Sequence, residues 1–372
     1  MARLVLEHVG KSFGRVVALD GVCLDVADGE FFCLLGPSGA GKTTTLKVTA
    51  GLEAADRGRV HLDGRDVTSV EPTERELAMC FESYALYPQL DVFGNLASPL
   101  RSPRYRLPAD QARARVTEVA GLLGIEPLLD RRVTQLSNGQ RQRVALGRVL
   151  VRPAAARLLD EPLAHLDAKL RATMRAELKS ITERGPITTV YVTHDYVEAL
   201  ALADRIGVLH RGRILQVGTP EQLWREPVNA YVAEAFGKPR INMVDGTVVD
   251  RDGGRAFVPA DGAFAVPVPG ADVDRGEPVR LGVRPRDLRL QAGAGDPPAG
   301  LARLDGTVYV TEHLGRQAEV TVRAGTTTLS VIVPRTLADG LALDDKVALL
   351  VDPARVHVFL AGEEGRRVSA SR

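Results

Sequence analysis

Gly36-Pro37-Ser38-Gly39-Ala40-Gly41-Lys42-Thr43 stands between an apolar run and a helical one. Phe31-Phe32-Cys33-Leu34-Leu35, just before it, has the continuous hydrophobicity of a short strand buried on both faces. Thr43 to Ala50, just after it, reads as a helix that Thr44 continues. The octet fits G-x-x-x-x-G-K-[ST] in a strand–loop–helix context. Its glycines let backbone N–H groups turn toward an anion, which a helix N-terminus also attracts. Lys42 is placed to reach β- and γ-phosphates, and the Thr43 hydroxyl to hold Mg²⁺.

A second stretch completes that chemistry. Leu158-Leu159-Asp160-Glu161 reads as an apolar strand ending in two carboxylates. Such a pair suits a Mg²⁺-organising Asp160 and a water-activating Glu161. Leu136-Ser137-Asn138-Gly139-Gln140-Arg141-Gln142-Arg143 opens another helix, with Ser137 as its N-cap, and a Ser-x-Gly helix start again has a phosphate-binding shape.

Composition bounds the rest. A chain of 372 residues suggests two domains or three. With 45% hydrophobic and 26% charged residues, a disordered or fibrous reading is out. Lys+Arg of 48 against Asp+Glu of 47 argues against a bulk nucleic-acid partner. Cys23, Cys33 and Cys80 form no CxxC pair and are odd in number, so neither a disulfide framework nor a structural zinc is expected, and a reducing cytosol fits. Met1 to His8 lacks the apolar core of a signal peptide, and no stretch approaches the roughly 18 apolar residues of a membrane span. The chain is expected not to cross a membrane by itself.

Residues 3 to about 235 alternate apolar runs with helical patterns, which predicts an α/β domain with a largely parallel sheet. Val16 to Val26 alternates in strand fashion, and Leu170, Met174, Leu178 and Ile181 mark the core side of a helix. After Phe236-Gly237-Lys238-Pro239 the chain becomes short β-like runs broken by Gly, Pro and Asp, at 246–249, 279–283, 307–310 and 347–351. These predict a small barrel or sandwich. The expected domains are 1–236 and 237–372. Residues 291–300 are expected to link two β halves, and residues 361–372 to form a loose tail.

The order of phosphate loop, Ser137-x-Gly139-Gln140, Asp160-Glu161 and Val192-Thr193-His194-Asp195 resembles the ATP-binding subunit of ABC transporters. Within that family the chain is most similar to the maltose-type ATPases of carbohydrate and polyol importers. The signs are residues 84–88 (YALYP), 160–163 (DEPL), 166–171 (LDAKLR), 218–220 (GTP) and 282–285 (GVRP), the last in the β-rich domain called TOBE. The implied fold is an α/β P-loop ATPase domain followed by an all-β, OB-like regulatory domain.

What the resemblance implies follows the motifs. Two ATPase chains, the same or different, sandwich two ATPs head to tail. Gly36 to Thr44 of one chain face Ser137, Asn138, Gly139 and Gln140 of the other. Thr43, Glu82 and Asp160 hold Mg²⁺, Glu161 is the general base, His194 contacts the γ-phosphate and Phe13 stacks on adenine. Asp167 falls on the loop that spans the dimer, or serves as a helix N-cap. Tyr84 to Pro88 form the groove that receives a cytoplasmic helix of two membrane permeases, which a solute-binding protein outside the cell supplies. The chain is thereby placed on the cytoplasmic face of the inner membrane, with no nucleic-acid partner. Sugar, polyol and glycerol-phosphate importers share these motifs, and other subunits choose the solute.

Several positions depart from the family pattern. Glu82 stands where Gln is usual, and Asn138 replaces the first Gly of Leu-Ser-Gly-Gly-Gln. Ala164-His165 replaces Ser-Asn, Tyr196 replaces Gln, and Arg157 interrupts an otherwise apolar strand. Asn tolerates positive φ, so the turn at 138 is expected to survive on that ground. Their clustering on the nucleotide interface leads to the expectation of an unequal pair with a second, different ATPase. Two other classes share the phosphate-loop motifs. A soluble ABC-type repair or translation protein would lack the sugar-importer β domain, and repair forms carry a coiled-coil insertion absent between Lys42 and Ser137. A nucleotide-binding structural subunit would turn ATP over little.

Overall fold

The computed structural model describes residues 2–103, 105–185, 187–251, 253–293 and 297–368. By its internal contacts the chain forms two compact units, Met1–Pro220 and Glu221–Arg372. The division falls before 236 because the helices of segment 221–236 belong with the β-rich unit.

The first unit opens with β1 (Leu4–Phe13) and β2 (Val16–Val26), an antiparallel pair that closes at Phe13 opposite Val16. Then follow β3 (Phe31–Leu35), α1 (Lys42–Ala50), β4 (Arg57–Leu62), β5 (Arg65–Asp66) and β6 (Leu77–Cys80). Next come α2 (Val92–Ala97), α3 (Ala109–Leu122), α4 (Asn138–Val151), β7 (Ala156–Asp160) and α5 (Ala168–Arg184). β8 (Thr188–Thr193), α6 (Tyr196–Leu202), β9 (Arg205–His210) and β10 (Arg213–Gly218) complete the unit.

Two sheets result, β2-β1-β4-β5 and β10-β9-β3-β8-β7-β6. The second is parallel from β9 through β6, with β10 antiparallel at its edge. Every residue of β3 and β7 is buried, which explains their continuous apolar runs. Arg157 is no exception: it lies inside β7 at 5% exposure, and burial, with Arg115 nearby, draws its pKa down to about 10. The expected stripe on α5 is seated through Met174 and Leu178, both fully buried.

The register of the parallel strands sets the site. Leu35 lies opposite Thr193, and Asp160 opposite Val192. The loops after β3, β7 and β8 therefore leave one edge of the sheet side by side, where ligands of open α/β sheets collect.

The second unit starts with α7 (Pro220–Arg225) and α8 (Ala230–Ala235). Its strands are β11 (Asn242–Arg251), β12 (Gly254–Pro259), β13 (Val266–Pro267), β14 (Pro278–Val283), β15 (Leu288–Ala292) and β16 (Ala302–Leu314). They continue with β17 (Gln317–Ala324), β18 (Thr327–Pro334), β19 (Lys346–Val351) and β20 (His357–Leu360), with α9 (Arg335–Ala338) after β18. Two five-stranded antiparallel sheets form, β13-β12-β11-β14-β20 and β15-β19-β16-β17-β18. Val244 and Leu281 of one meet Leu304, Val320 and Leu349 of the other in a single core. All four predicted β runs lie in strands. Arg284 ties segment 221–236 to this unit by donating to the carbonyls of Trp224 and Phe236, at 2.9 and 2.8 Å.

Two expectations are corrected. Residues 291–300 do not join two β halves. Residues 291 and 292 end β15 and the rest lead to β16, and both strands pair with β19 in one sheet. The crossings between sheets are instead made by residues 284–287, between β14 and β15, and by residues 352–356, between β19 and β20. Of the proposed linker, residues 294–296 lie outside the described residues. The expected tail is not loose as far as Val368. Arg366 bridges Asn229, Arg367 bridges Phe359, and Val368 is buried at 6% exposure. Their backbone groups complete an edge that β20 alone leaves unpaired. Residues 369–372 lie outside the described residues.

Candidate functional site

The loop after β3 is shaped by close packing as much as by flexibility. A Cβ on Gly36 would meet the Leu209 carbonyl at 2.5 Å, and one on Gly41 the Ala18 carbonyl at 2.5 Å. Gly41 also caps α1 at φ 108°, in the left-handed region. Pro37, Ser38, Gly39 and Ala40 complete the turn between them, and the Ala40 amide donates back to Pro37 at 3.2 Å. Lys42 begins α1, and Thr43 and Thr44 follow in its first turn.

Lys42 is 5% exposed, and its Nζ donates to the Pro37 carbonyl at 3.1 Å. The same Nζ stands 3.2 Å from Glu161 Oε1. The other oxygen of Glu161, Oε2, lies 2.8 Å from His194 Nδ1. Glu161 is thus held between the phosphate-loop lysine and the histidine that follows β8. Its backbone sits at φ 44°, a left-handed conformation uncommon outside glycine, and its amide donates to the Val192 carbonyl at 3.1 Å.

Thr43 Oγ1 donates to Asp160 Oδ1 at 3.1 Å. Burial, chiefly, pushes the Asp160 carboxyl up to about 6; the charges of Glu82 and Glu161 push the same way, against the Thr43 bond and Lys42. Carboxylates crowded in this manner suit a divalent cation. Among the described residues no three His, Cys, Asp or Glu side chains form a metal cluster of their own. Thr43, Glu82 and Asp160 are hard oxygen donors and too few for a protein cage. That donor set fits Mg²⁺, which keeps waters and shares phosphate oxygens.

Ser137, Asn138, Gly139 and Gln140 lie elsewhere, at the start of α4. Ser137 caps the helix: its side chain accepts from the Gln140 amide at 3.3 Å, and Gln140 Oε1 accepts from the Ser137 amide at 2.9 Å. This reciprocal pair is a capping box. Asn138 is the first helical residue and has no positive φ, so the reason given above for its tolerance is corrected. Its Oδ1 accepts instead from the Arg141 guanidinium. Within one chain Ser137, Asn138 and Gln140 bond locally.

Phe13 is not a core residue. It is 46% exposed at the end of β1, with Lys11 Nζ 5.2 Å from its ring centroid. Its hairpin abuts the phosphate loop, since Ala18 on β2 is the residue that Gly41 packs against. Asp167 is an N-cap of α5, its Oδ1 accepting from the Leu170 amide at 2.9 Å.

Glu82 opens a tight segment in which Tyr84 and Ala85 take φ 65° and 47°. The Tyr84 ring meets His165 edge-on at 5.9 Å, and Arg148 donates to the Ala85 carbonyl at 2.7 Å. Arg148 also covers the Tyr87 ring at 5.1 Å. Beside them lies a groove of about 760 Å³, lined by Leu52, Phe81, Tyr87, Pro99, Tyr105 and Arg148.

The sequence reading missed Gln142. Its Nε2 donates to the Glu161 carbonyl at 3.2 Å while its Oε1 accepts from the His165 amide at 3.2 Å. A polar residue amid the apolar face of α4, 2% exposed, was the available signal.

The ABC transporter family profile matches residues 19–164, and the TOBE domain profile residues 299–358. The chain is 41% identical to the sn-glycerol-3-phosphate import ATP-binding protein UgpC of Paracoccus denitrificans, over 99% of each chain. It is 41% identical to the trehalose/maltose import ATP-binding protein MalK of Thermococcus litoralis, over 96% of this chain and 98% of that one. Identity to the xylose/arabinose import ATP-binding protein XacK of Haloferax volcanii is 44%, over 87% and 84%. Among solved structures, the dimeric bacterial ABC transporter cassette MJ0796 aligns with a TM-score of 0.54 at 28% identity, over 58% of this chain and 98% of that one. A post-hydrolysis form of that cassette, bound to ADP and Pi, aligns with the same TM-score of 0.54.

Proposed function

The chain belongs to the ATP-binding subunits of ABC importers, and from that membership we propose how its residues convert ATP hydrolysis into import of a sugar, polyol or glycerol-phosphate-like solute. The supporting observation is the meeting of Lys42, Thr43, Asp160, Glu161 and His194 at the ends of three adjacent parallel strands.

The loop amides of Gly36 to Thr44 and the Lys42 ammonium hold the phosphates. Phe13, exposed beside that loop, stacks on the adenine. Glu161 accepts a proton from water as the water oxygen bonds to the γ-phosphorus, and the bond from that phosphorus to the bridging oxygen breaks, leaving ADP and phosphate. Lys42 and His194, both now against the Glu161 carboxylate, also meet the γ-phosphate. Binding therefore exchanges one anion for another around the same two donors. Thr43, Asp160 and Glu82 would hold Mg²⁺, which supplies charge neutralisation on the phosphate oxygens.

Ser137, Asn138, Gly139 and Gln140 serve the ATP of a second ATPase chain arranged head to tail. The groove at Tyr87 and Arg148 receives a cytoplasmic helix of one of two membrane permeases, which places the chain peripherally on the cytoplasmic face of the membrane. No described helix is long and apolar enough to span one. A solute-binding protein outside the cell acts on the permeases, and thus only indirectly on this chain. Glu82 and Asn138 favour an unequal pair with a different ATPase; co-purification with intact-mass counting of subunits decides between one copy and two.

The activity is tested with Glu161→Gln. Loss of ATP turnover with retained ATP binding supports this reading. Equal turnover in variant and wild type supports the nucleotide-binding structural subunit instead.

A further inference from the structure

Arg171 lies in the first turn of α5 and faces two loops at once. On one side its Nη2 donates to the Leu166 carbonyl at 2.9 Å and to the Ala164 carbonyl at 3.3 Å. Those carbonyls belong to the loop between Glu161 and α5, which also carries Asp167. On the other side Nη1 is 3.8 Å from Asp195 Oδ2, and Nε is 3.9 Å from Glu198 Oε1. Both acids follow His194, Asp195 as the N-cap of α6 and Glu198 within that helix.

Glu198 is the centre of a buried polar cluster. It is 3% exposed, and its Oε2 accepts from Tyr191 Oη at 2.7 Å and from Thr193 Oγ1 at 2.8 Å. Thr193 Oγ1 accepts in turn from the Asp195 amide at 3.0 Å. The residues on both sides of His194 are thereby fixed. Among the described residues Arg171 is the only cation paired with Glu198, at 3.9 Å, and it adds a charge contact to the two hydroxyls that already hold the carboxylate. A guanidinium suits the position because its fork reaches carbonyls and carboxylates from one plane, which an ammonium cannot do.

We propose that Arg171 is a positioning residue that ties the loop of Ala164 to Asp167 to the loop of His194, so that the histidine meeting the γ-phosphate and the loop facing the second ATPase chain move as one body. The proposal rests on the ATPase reading of this site. It assigns Arg171 no contact with nucleotide, since Lys42 and the phosphate loop bind without it. The signature is therefore a fall in turnover with ATP affinity kept.

The test uses the full-length chain with Arg171→Ala, Arg171→Lys and Glu198→Gln, reading kcat, ATP Kd and melting temperature for each. Arg171→Ala is expected to lower kcat about tenfold while the Kd changes by less than about twofold, the behaviour of a lost positioning contact. Arg171→Lys keeps the charge without the fork and falls between the two. Combining Arg171→Ala with Glu198→Gln adds little to either alone, because both cut one connection. Should Arg171→Ala melt lower than wild type, Arg171→Lys decides: with unchanged melting, a reduced kcat supports the proposal and a wild-type kcat overturns it. A wild-type kcat in folded Arg171→Ala, or equal losses of kcat and affinity, also overturns it. A wild-type chain that neither binds nor hydrolyses ATP overturns the ATPase reading itself, a result distinct from any failure at Arg171.

Discussion

Lys42 and Arg284 are both buried cations, 5% and 3% exposed, and the two units of the molecule use them in opposite ways. Lys42 stands against Glu161, itself shared with His194, so that its charge faces other side chains at the edge of a sheet. Arg284 points its guanidinium at two backbone carbonyls and lies over the Trp224 ring, its Cζ 3.7 Å from the ring centroid. Burial and Coulomb attraction act on both. The difference lies in the partner. A carboxylate can be exchanged for a phosphate when a ligand arrives, whereas a carbonyl of the same chain cannot leave without unfolding its segment. One unit keeps its buried charge available for chemistry, and the other spends it on joining α7 and α8 to the β-sheets.

That contrast can be tested from both ends. The largest effect is expected at Glu161→Gln, which should lower ATP turnover by about 100-fold or more with the melting temperature little changed. A comparable turnover would mean that the Lys42–Glu161–His194 group is structural after all. Arg284→Ala should do the reverse, costing about 3 kcal/mol of stability through two orphaned carbonyls and a lost stacking contact. Trp224 is the only tryptophan, so denaturant unfolding followed by its fluorescence reports this unit directly. A variant with wild-type unfolding would remove the structural role.

Acid should act on the β-rich unit next. His357 is 8% exposed, and burial first, then the charges of Arg367 and Arg284, hold its pKa down at about 3. The imidazole is neutral in the folded state and protonates near 6.5 when unfolded. Its contribution is complete above that value and is lost as pH falls toward 3, amounting to about 2 kcal/mol by pH 5. Trp224-monitored unfolding at pH 7 and pH 5 measures the loss, and His357→Gln should flatten it. The smallest effect is expected at Phe13→Ala. Removing an exposed stacking surface should raise the ATP Kd about tenfold and leave stability unchanged. An unaltered Kd would show that the exposed ring serves something other than adenine.

Much of the active end was readable along the chain. The phosphate loop is eight consecutive residues and Asp160-Glu161 ends an apolar strand, so local pattern was enough to nominate them, whereas His194 was nominated by the family resemblance. Gln142 and Arg171 were less readable. The partners that give them their roles, Glu161 and His165 for Gln142 and Asp195 and Glu198 for Arg171, lie 19 or more positions away in the chain, and nothing in a helical stretch marks which polar side chain will be turned inward. Asn138 was read as a strained turn because its glycine predecessor in the family pattern suggested one. The capping box of Ser137 and Gln140 makes it plain helix. The tail through Val368 is expected to be loose from its terminal place in the chain, while the backbone groups it bonds belong to the distant Val228 and to Val358 and Leu360.

The amino-acid sequence by itself determined the strand–loop–helix at residues 31–50 and which short runs become strands. Those properties depend on backbone propensity and on periodicity over a few neighbours. Only the tertiary structure decided that Glu161 would sit within 3.2 Å of Lys42 and 2.8 Å of His194, residues on three separate loops. The register of β3, β8 and β7 brings them together, and register is settled by which side chains fill the core on either face of the sheet, far from the site itself.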